Sequence, residues 1–139
     1  MPLTADPYVI VDPSIMIDTT EFQCATNTAT LEYVYAESDD KTFCKPNATT
    51  RTLIGCTLSV DIKLSFGAGG SFNLLHAMGG LRKVVVVKAL DAAAAVGNPS
   101  TTFTAEIPFI PAVTEMKIGE SMVLELELIS DAAPVVALA

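Results

Sequence analysis

The sequence predicts a mainly β domain: a β-sandwich or barrel with one short flanking α-helix. Three observations predict it. Apolar and polar residues alternate over residues 28–36, 57–65, 102–108 and 122–130, the period-two pattern of strands with one buried face. Helical spacing occurs in one short stretch, where Phe72, Leu75 and Met78 recur at i, i+3 and i+6. Glycine and proline clusters separate these segments. A chain of 139 residues suits one such domain.

The elements follow in order. Pro2, Pro7 and Pro13 separate Tyr8-Val9-Ile10-Val11 from Ile15-Met16-Ile17. Prolines at that interval prevent a helix, so residues 1–20 read as an extended arm or sheet-edge segment. The domain proper spans residues 21–130. Its first strand places Leu31, Tyr33 and Tyr35 on one face and Thr30, Glu32 and Val34 on the other. Residues 37–56 are polar and read as a long loop or an irregular hairpin, a length that is usually functional. In the next strand Leu58, Val60, Ile62 and Leu64 oppose Thr57, Ser59, Asp61 and Lys63. Gly67-Ala68-Gly69-Gly70 breaks it, Ser71 stands where an N-cap would, and Gly79-Gly80 ends the helix.

Val84 to Val87 is a β-branched run expected to be buried on both faces. Asp91 to Ser100 reads as a connection. Phe103, Ala105 and Ile107 then alternate with Thr102, Thr104 and Glu106, until Pro108 and Pro111 end the strand. The last strand sets Met122, Leu124, Leu126 and Leu128 against Val123, Glu125, Glu127 and Ile129. Residues 131–139 form a C-terminal tail whose apolar run, Ala132 to Ala139, is expected to dock on a neighbouring subunit.

Composition narrows the function classes. Half of the residues are hydrophobic and only 17% are charged, with a mean hydropathy of +0.47. Disordered chains show the opposite balance, so the excess apolar surface is expected to be buried between subunits. A membrane span is not expected: the longest uncharged run, Leu64 to Leu81, contains five glycines. No Lys or Arg precedes Lys41, so no signal peptide is read and synthesis in the cytoplasm is expected. The net charge of −8 is unevenly spread, with an acidic first forty residues, a basic middle and an acidic end. Such asymmetry suits head-to-tail contacts between copies, and the acidic balance does not suit gripping DNA.

Catalytic chemistry is poorly supplied. His76 is the single histidine, and Cys24, Cys44 and Cys56 are too widely spaced for a zinc knuckle, so they read as reduced thiols packed as small hydrophobes. No phosphate loop, dinucleotide fingerprint or nucleophile elbow is complete. Glu125 and Glu127 share a strand face at a spacing compatible with paired-carboxylate hydrolysis, but alternating acids are common on solvated strands. The expectation is a non-enzyme without cofactor or metal.

The order of segments resembles a known family. Thr42-Phe43-Cys44 precedes Lys45-Pro46-Asn47; the strand with Leu58 and Val60 follows, then Ser71-Phe72-Asn73-Leu74-Leu75 in a short helix ending at Gly79-Gly80. Thr102-Phe103-Thr104-Ala105-Glu106-Ile107-Pro108 leads to a Gly119-Glu120 turn and a last alternating strand. Over roughly residues 20–130 this is similar to the major tail (tail tube) proteins of long non-contractile-tailed, siphovirus-type phages of actinobacterial hosts.

The resemblance implies a virion protein assembled in the bacterial cytoplasm. Its copies would close six to a ring, and the rings would stack into a tube. Its partners would be itself, the tape-measure protein and other tail proteins, with DNA passing through the lumen without specific binding. Thr57, Ser59, Asp61, Thr102, Thr104, Glu106, Glu125 and Glu127 are the lumen-facing candidates, although the sequence does not say which sheet is inner. Ring-stacking candidates are Tyr8, Val9, Ile10 and Val11 in the arm, Asp39, Asp40, Lys41, Lys45 and Arg51 in the polar stretch, and Val135, Val136 and Leu138 in the tail. The alternative is a capsid decoration protein, also small, β-rich and multimeric, which binds a preformed shell.

Overall fold

The computed structural model describes residues 13–22, 24–89, 92, 94, 95, 97–110, 119 and 122–138. Strands β1 (Ser14–Ile17), β2 (Thr20–Glu21), β3 (Thr26–Asp39) and β4 (Thr49–Lys63) come first. Helix α1 (Ser71–Met78) follows, then β5 (Arg82–Lys88), β6 (Ser100–Glu106), β7 (Val123–Ile129) and β8 (Val135–Ala137). They build two antiparallel sheets: sheet A in the order β2-β1-β5-β6-β8, and sheet B in the order β3-β4-β7. Neither sheet closes into a barrel.

The alternation read from the sequence explains the core. Leu58, Val60, Ile62, Leu124, Leu126 and Leu128 of sheet B share one buried cluster with Ile15, Ile17, Val85, Phe103, Ala105 and Ile107 on or next to sheet A. Leu75 and Met78 join that cluster from α1. The chain passes from sheet B to sheet A at Ser130-Asp131, where Ser130 N–H donates to the Cys56 carbonyl and Asp131 N–H to the Thr104 carbonyl.

Several expectations need correction. Residues 37–56 are not a long loop. β3 runs on to Asp39 and β4 starts at Thr49, leaving only residues 40–48 as the connection of a long hairpin. Over 37–52 the polar side chains face no apolar alternation, since that part of the hairpin is exposed on both faces; burial begins at Leu53 and is complete at Cys56. The strand over 28–36 is likewise not half-buried, since Leu31 is its one partly covered apolar side chain and Tyr33, Val34 and Tyr35 are exposed.

Residues 14–17 are not an arm or an edge; they form β1, which pairs with both β2 and β5. The Val84–Val87 run is covered on one face only: Val85 is fully buried while Val84 is 46% exposed on the outer face. Its β-branched residues mark a strand, and they do not by themselves specify two covering layers.

The helix begins one residue earlier than its cap suggests. Gly70 occupies the N-cap position without a side-chain cap, and Ser71 is the first helical residue. Ser71 still secures this end. Its N–H donates to Ser65 Oγ at 2.9 Å, its Oγ accepts from Ser65 N–H at 2.9 Å, and its hydroxyl donates to the Lys63 carbonyl at 2.7 Å. The orphan N–H of the first turn is thereby satisfied from the end of β4.

At the other end Gly80 has φ +78°, and a Cβ there would lie 2.6 Å from Phe109 Cζ. Gly80→Ala is therefore expected to destabilise the fold by about 1–2 kcal/mol from backbone strain alone. Urea denaturation measures this. Combining it with Phe109→Ala relieves the contact but leaves the strain, so recovery is expected to be incomplete.

Candidate functional site

The lumen-facing candidates divide between two opposite walls. On sheet B, Thr57, Ser59 and Asp61 of β4 point away from the core, as do Glu125 and Glu127 of β7. Pairing register sets them in rows: Thr28, Asp61 and Glu125; Thr30, Ser59 and Glu127; Glu32, Thr57 and Ile129. Thr102, Thr104 and Glu106 instead lie on the outer face of sheet A, opposite Val86, Val84 and Arg82 respectively. One face cannot present both sets whole; Glu106 and Glu127 alone line a common cleft, at the corner where the chain passes between the sheets.

The sheet B wall is acidic and polar. A shallow trough of about 340 Å³ runs over it, lined by Thr28, Thr30, Ser59, Asp61, Glu125 and Glu127. Asp61 and Glu125 are direct cross-strand partners, and like charges placed so are mutually destabilising. Exposure to water limits that cost. The side chains hold carboxylates and hydroxyls at a solvated surface, which repels anions and offers no sheltered cavity for a substrate. Among the described residues no group of His, Cys, Asp and Glu could hold a metal ion, and no helix is long and apolar enough to cross a membrane.

The sheet A wall differs. Val84 and Val135 are exposed there, and Arg82 is ion-paired with Asp131. The Asp131 carboxylate, by hydrogen bond and by charge, raises the Arg82 pKa above its ordinary value.

The third feature is the hairpin. β7 pairs with β4 only from Thr57 to Lys63, so the β3–β4 ribbon extends beyond it as two strands. In this overhang Val34, Tyr35 and Ile54 are 44–52% exposed, and Phe43 at the tip is fully exposed. A two-stranded ribbon is marginal in water without a surface to pack on. Locally it is held by Arg51 Nε–Glu37 at 2.8 Å and by hydrogen bonds from Thr50 and Ser38 to Asp40, all exposed. Exposed pairs of this kind contribute little. At its root the Tyr33 and Thr101 hydroxyls bond at 2.9 Å and tie the ribbon to sheet A.

The ring-stacking candidates Asp39, Asp40, Lys41, Lys45 and Arg51 are thus brought together at the hairpin tip and its flanks. Tyr8, Val9, Ile10 and Val11 lie outside the described residues. The C-terminal tail meets its own chain first: β8 pairs with β6 through Val135↔Thr102 and Val136↔Thr101. Val135, Val136 and Leu138 nevertheless remain about half exposed or more. Sequence reasoning missed Tyr35, Ile54 and Phe43 as surface groups. The signal available was the polar run Thr49 to Thr52, which on β4 leads directly into Ile54 and into Leu53, the partner of Tyr35.

The cysteines are free, but only Cys56 is packed as a small hydrophobe; Cys24 and Cys44 are exposed. Burial raises the Cys56 pKa, opposed in part by its hydrogen bond to Ser130. Two thiols are expected to react with a maleimide in the native protein at pH 8 and the third only after denaturation. Mass spectrometry of the alkylated chain reads this directly; three rapid modifications would contradict the packing at Cys56.

No protein-family model matches the sequence, and a search of curated proteins finds no match.

Proposed function

We propose that this chain is a structural virion subunit that assembles with copies of itself, as stacked hexameric rings, into a phage tail tube. The single observation that carries the proposal is the pairing of an acidic sheet B wall with a hairpin exposed on both faces. The hairpin supports contact with further copies, because burial is what a bare two-stranded ribbon lacks. The acid wall supports a conduit. Asp61, Glu125, Glu127 and Glu32 repel phosphates, so DNA passes without sticking.

In this reading sheet B lines the lumen, and Thr102, Thr104 and Glu106 lie on the tube's outer layer. The segment order similar to tail tube proteins points the same way. Partners would then be the tape-measure protein inside and other tail proteins at the ends. The protein would have no cofactor and no catalytic role.

The test is the purified chain alone, concentrated and viewed by negative-stain electron microscopy. Hollow stacked-ring filaments are expected. Particles that stay monomeric at high concentration yet bind empty capsids would overturn this function in favour of a decoration protein. The triple substitution Asp61→Asn, Glu125→Gln, Glu127→Gln is expected to leave assembly intact and to remove close like-charge pairs. Filaments of this variant should retain more single-stranded DNA at low salt than the parent, measured by co-sedimentation. Equal retention would contradict a charge-repelling lumen.

A further inference from the structure

We infer that residues 8–11 close an apolar cavity of their own subunit, with Val9 and Val11 turned into it. The cavity has a volume of about 250 Å³. Pro13, Ile15 and Val87 line it from the side of sheet A, and Ala29, Leu31 and Leu58 from sheet B. An apolar cavity of about 150 Å³ accepts a benzene ring, so this one has room for roughly two valine side chains. Pro13 is one of the lining residues, so the chain enters the fold at the cavity itself.

The sequence pattern directs the segment inwards. Ile15 and Ile17 are fully buried on the core face of β1. Period two carries Pro13, Val11 and Val9 onto that same face, with Asp12, Ile10 and Tyr8 on the other. Pro13 has no N–H to give to a neighbouring strand, so pairing with β5 ends at Ser14, the partner of Lys88. The same proline favours an extended Asp12, so the strand direction continues past the last pair. Four residues span about 13 Å, enough to lay Val11 and Val9 along Ala29 and Leu31.

Charge supports the same path. The Lys88 ammonium donates to the Ala92 carbonyl at 2.7 Å and is in no ion pair with a described residue. Asp12 is its diagonal cross-strand neighbour, two positions along from Ser14, a separation that a long side chain covers. An Asp12–Lys88 pair then pins the segment where it leaves the sheet. Val9 and Val11 thereby leave the set of ring-stacking candidates, and only Tyr8 and Ile10 stay outward.

Disulfide trapping in dilute protein tests this, and its result does not depend on tube formation. In a Cys24→Ser, Cys44→Ser background, Val9→Cys, Ile10→Cys or Val11→Cys is combined with Ala29→Cys or Leu31→Cys. After mild oxidation, non-reducing gels and mass spectrometry separate bonds within one chain from bonds between two. Bonds within one chain are expected from position 9 or 11 and not from position 10. Bonds only between chains overturn the inference in favour of a segment exchanged with a second copy. No bond, or equal bonding from position 10, overturns it as well.

A second measurement covers a failure of the disulfide to form. The double substitution Val9→Asp, Val11→Asp is expected to lower the urea midpoint, whereas Ile10→Asp leaves it unchanged. A double variant with the parent's midpoint would mean that this segment does not close the cavity.

Discussion

Replacing residues 37–51 with Asn-Gly is expected to give a folded protein that no longer assembles. Ala36 and Thr52 are cross-strand partners, so a two-residue turn of the kind that Asn-Gly favours can rejoin them. None of residues 37–51 is buried, and no core contact is lost with them. The urea midpoint should therefore correspond to a stability change within about 1 kcal/mol, as for surface changes away from packed sites. Sedimentation velocity should show one slow species at concentrations where the parent is expected to form filaments. Continued filament growth would remove the hairpin from the assembly contact.

Leu58→Ala is expected to destabilise the subunit by about 2–5 kcal/mol through lost burial and the cavity left behind. Against a typical total of about 5–15 kcal/mol, that is a large fraction. Leu58 is fully buried on β4, the strand that pairs with both neighbours in sheet B. It also lines an apolar cavity of about 250 Å³ with Ile15, Leu31 and Val87, so the site already packs loosely on one side. Chemical denaturation measures the loss. A change below about 1 kcal/mol would mean that neighbouring side chains close over the gap.

Strands with one wet and one dry face were legible in the sequence. Leu58, Val60 and Ile62 face the core as their spacing predicts, as do Leu124, Leu126 and Leu128, and Phe103, Ala105 and Ile107. Helix α1 was legible from three apolar residues and its closing glycines. What period two cannot report is a strand wet on both sides. Thr49 to Thr52 and Glu37 to Asp39 therefore read as loop, although backbone pairing carries them as ribbon. Equally, four valines in a row say strand without saying what covers each face.

The candidate surface was legible in kind and not in place. Alternation put Asp61, Glu125, Glu127 and Glu106 on polar faces, and all four are there. Which polar faces coincide depends on strand order, a property of long-range pairing. That order joins β4 to β7 and sends β6 to the other sheet, so Glu106 leaves the row of Asp61 and Glu125 and meets only Glu127, across the cleft where the sheets adjoin. The tail was read as apolar surface in want of a partner. Its backbone finds β6, while Val135 and Leu138 stay exposed.

Site-directed labelling distinguishes a sheet B wall turned to the inside of a self-assembled tube from one turned outwards. Ser59→Cys on sheet B and Thr104→Cys on sheet A are each placed in a Cys24→Ser, Cys44→Ser background and assembled. Filaments are reacted with biotin-maleimide and then exposed to streptavidin, which is too bulky to reach a narrow lumen. Both variants are expected to take up biotin; Thr104→Cys filaments should then bind streptavidin along their length, and Ser59→Cys filaments only after disassembly. Streptavidin decorating Ser59→Cys filaments along their length would place the acidic wall on the outside and exclude it as the lumen lining.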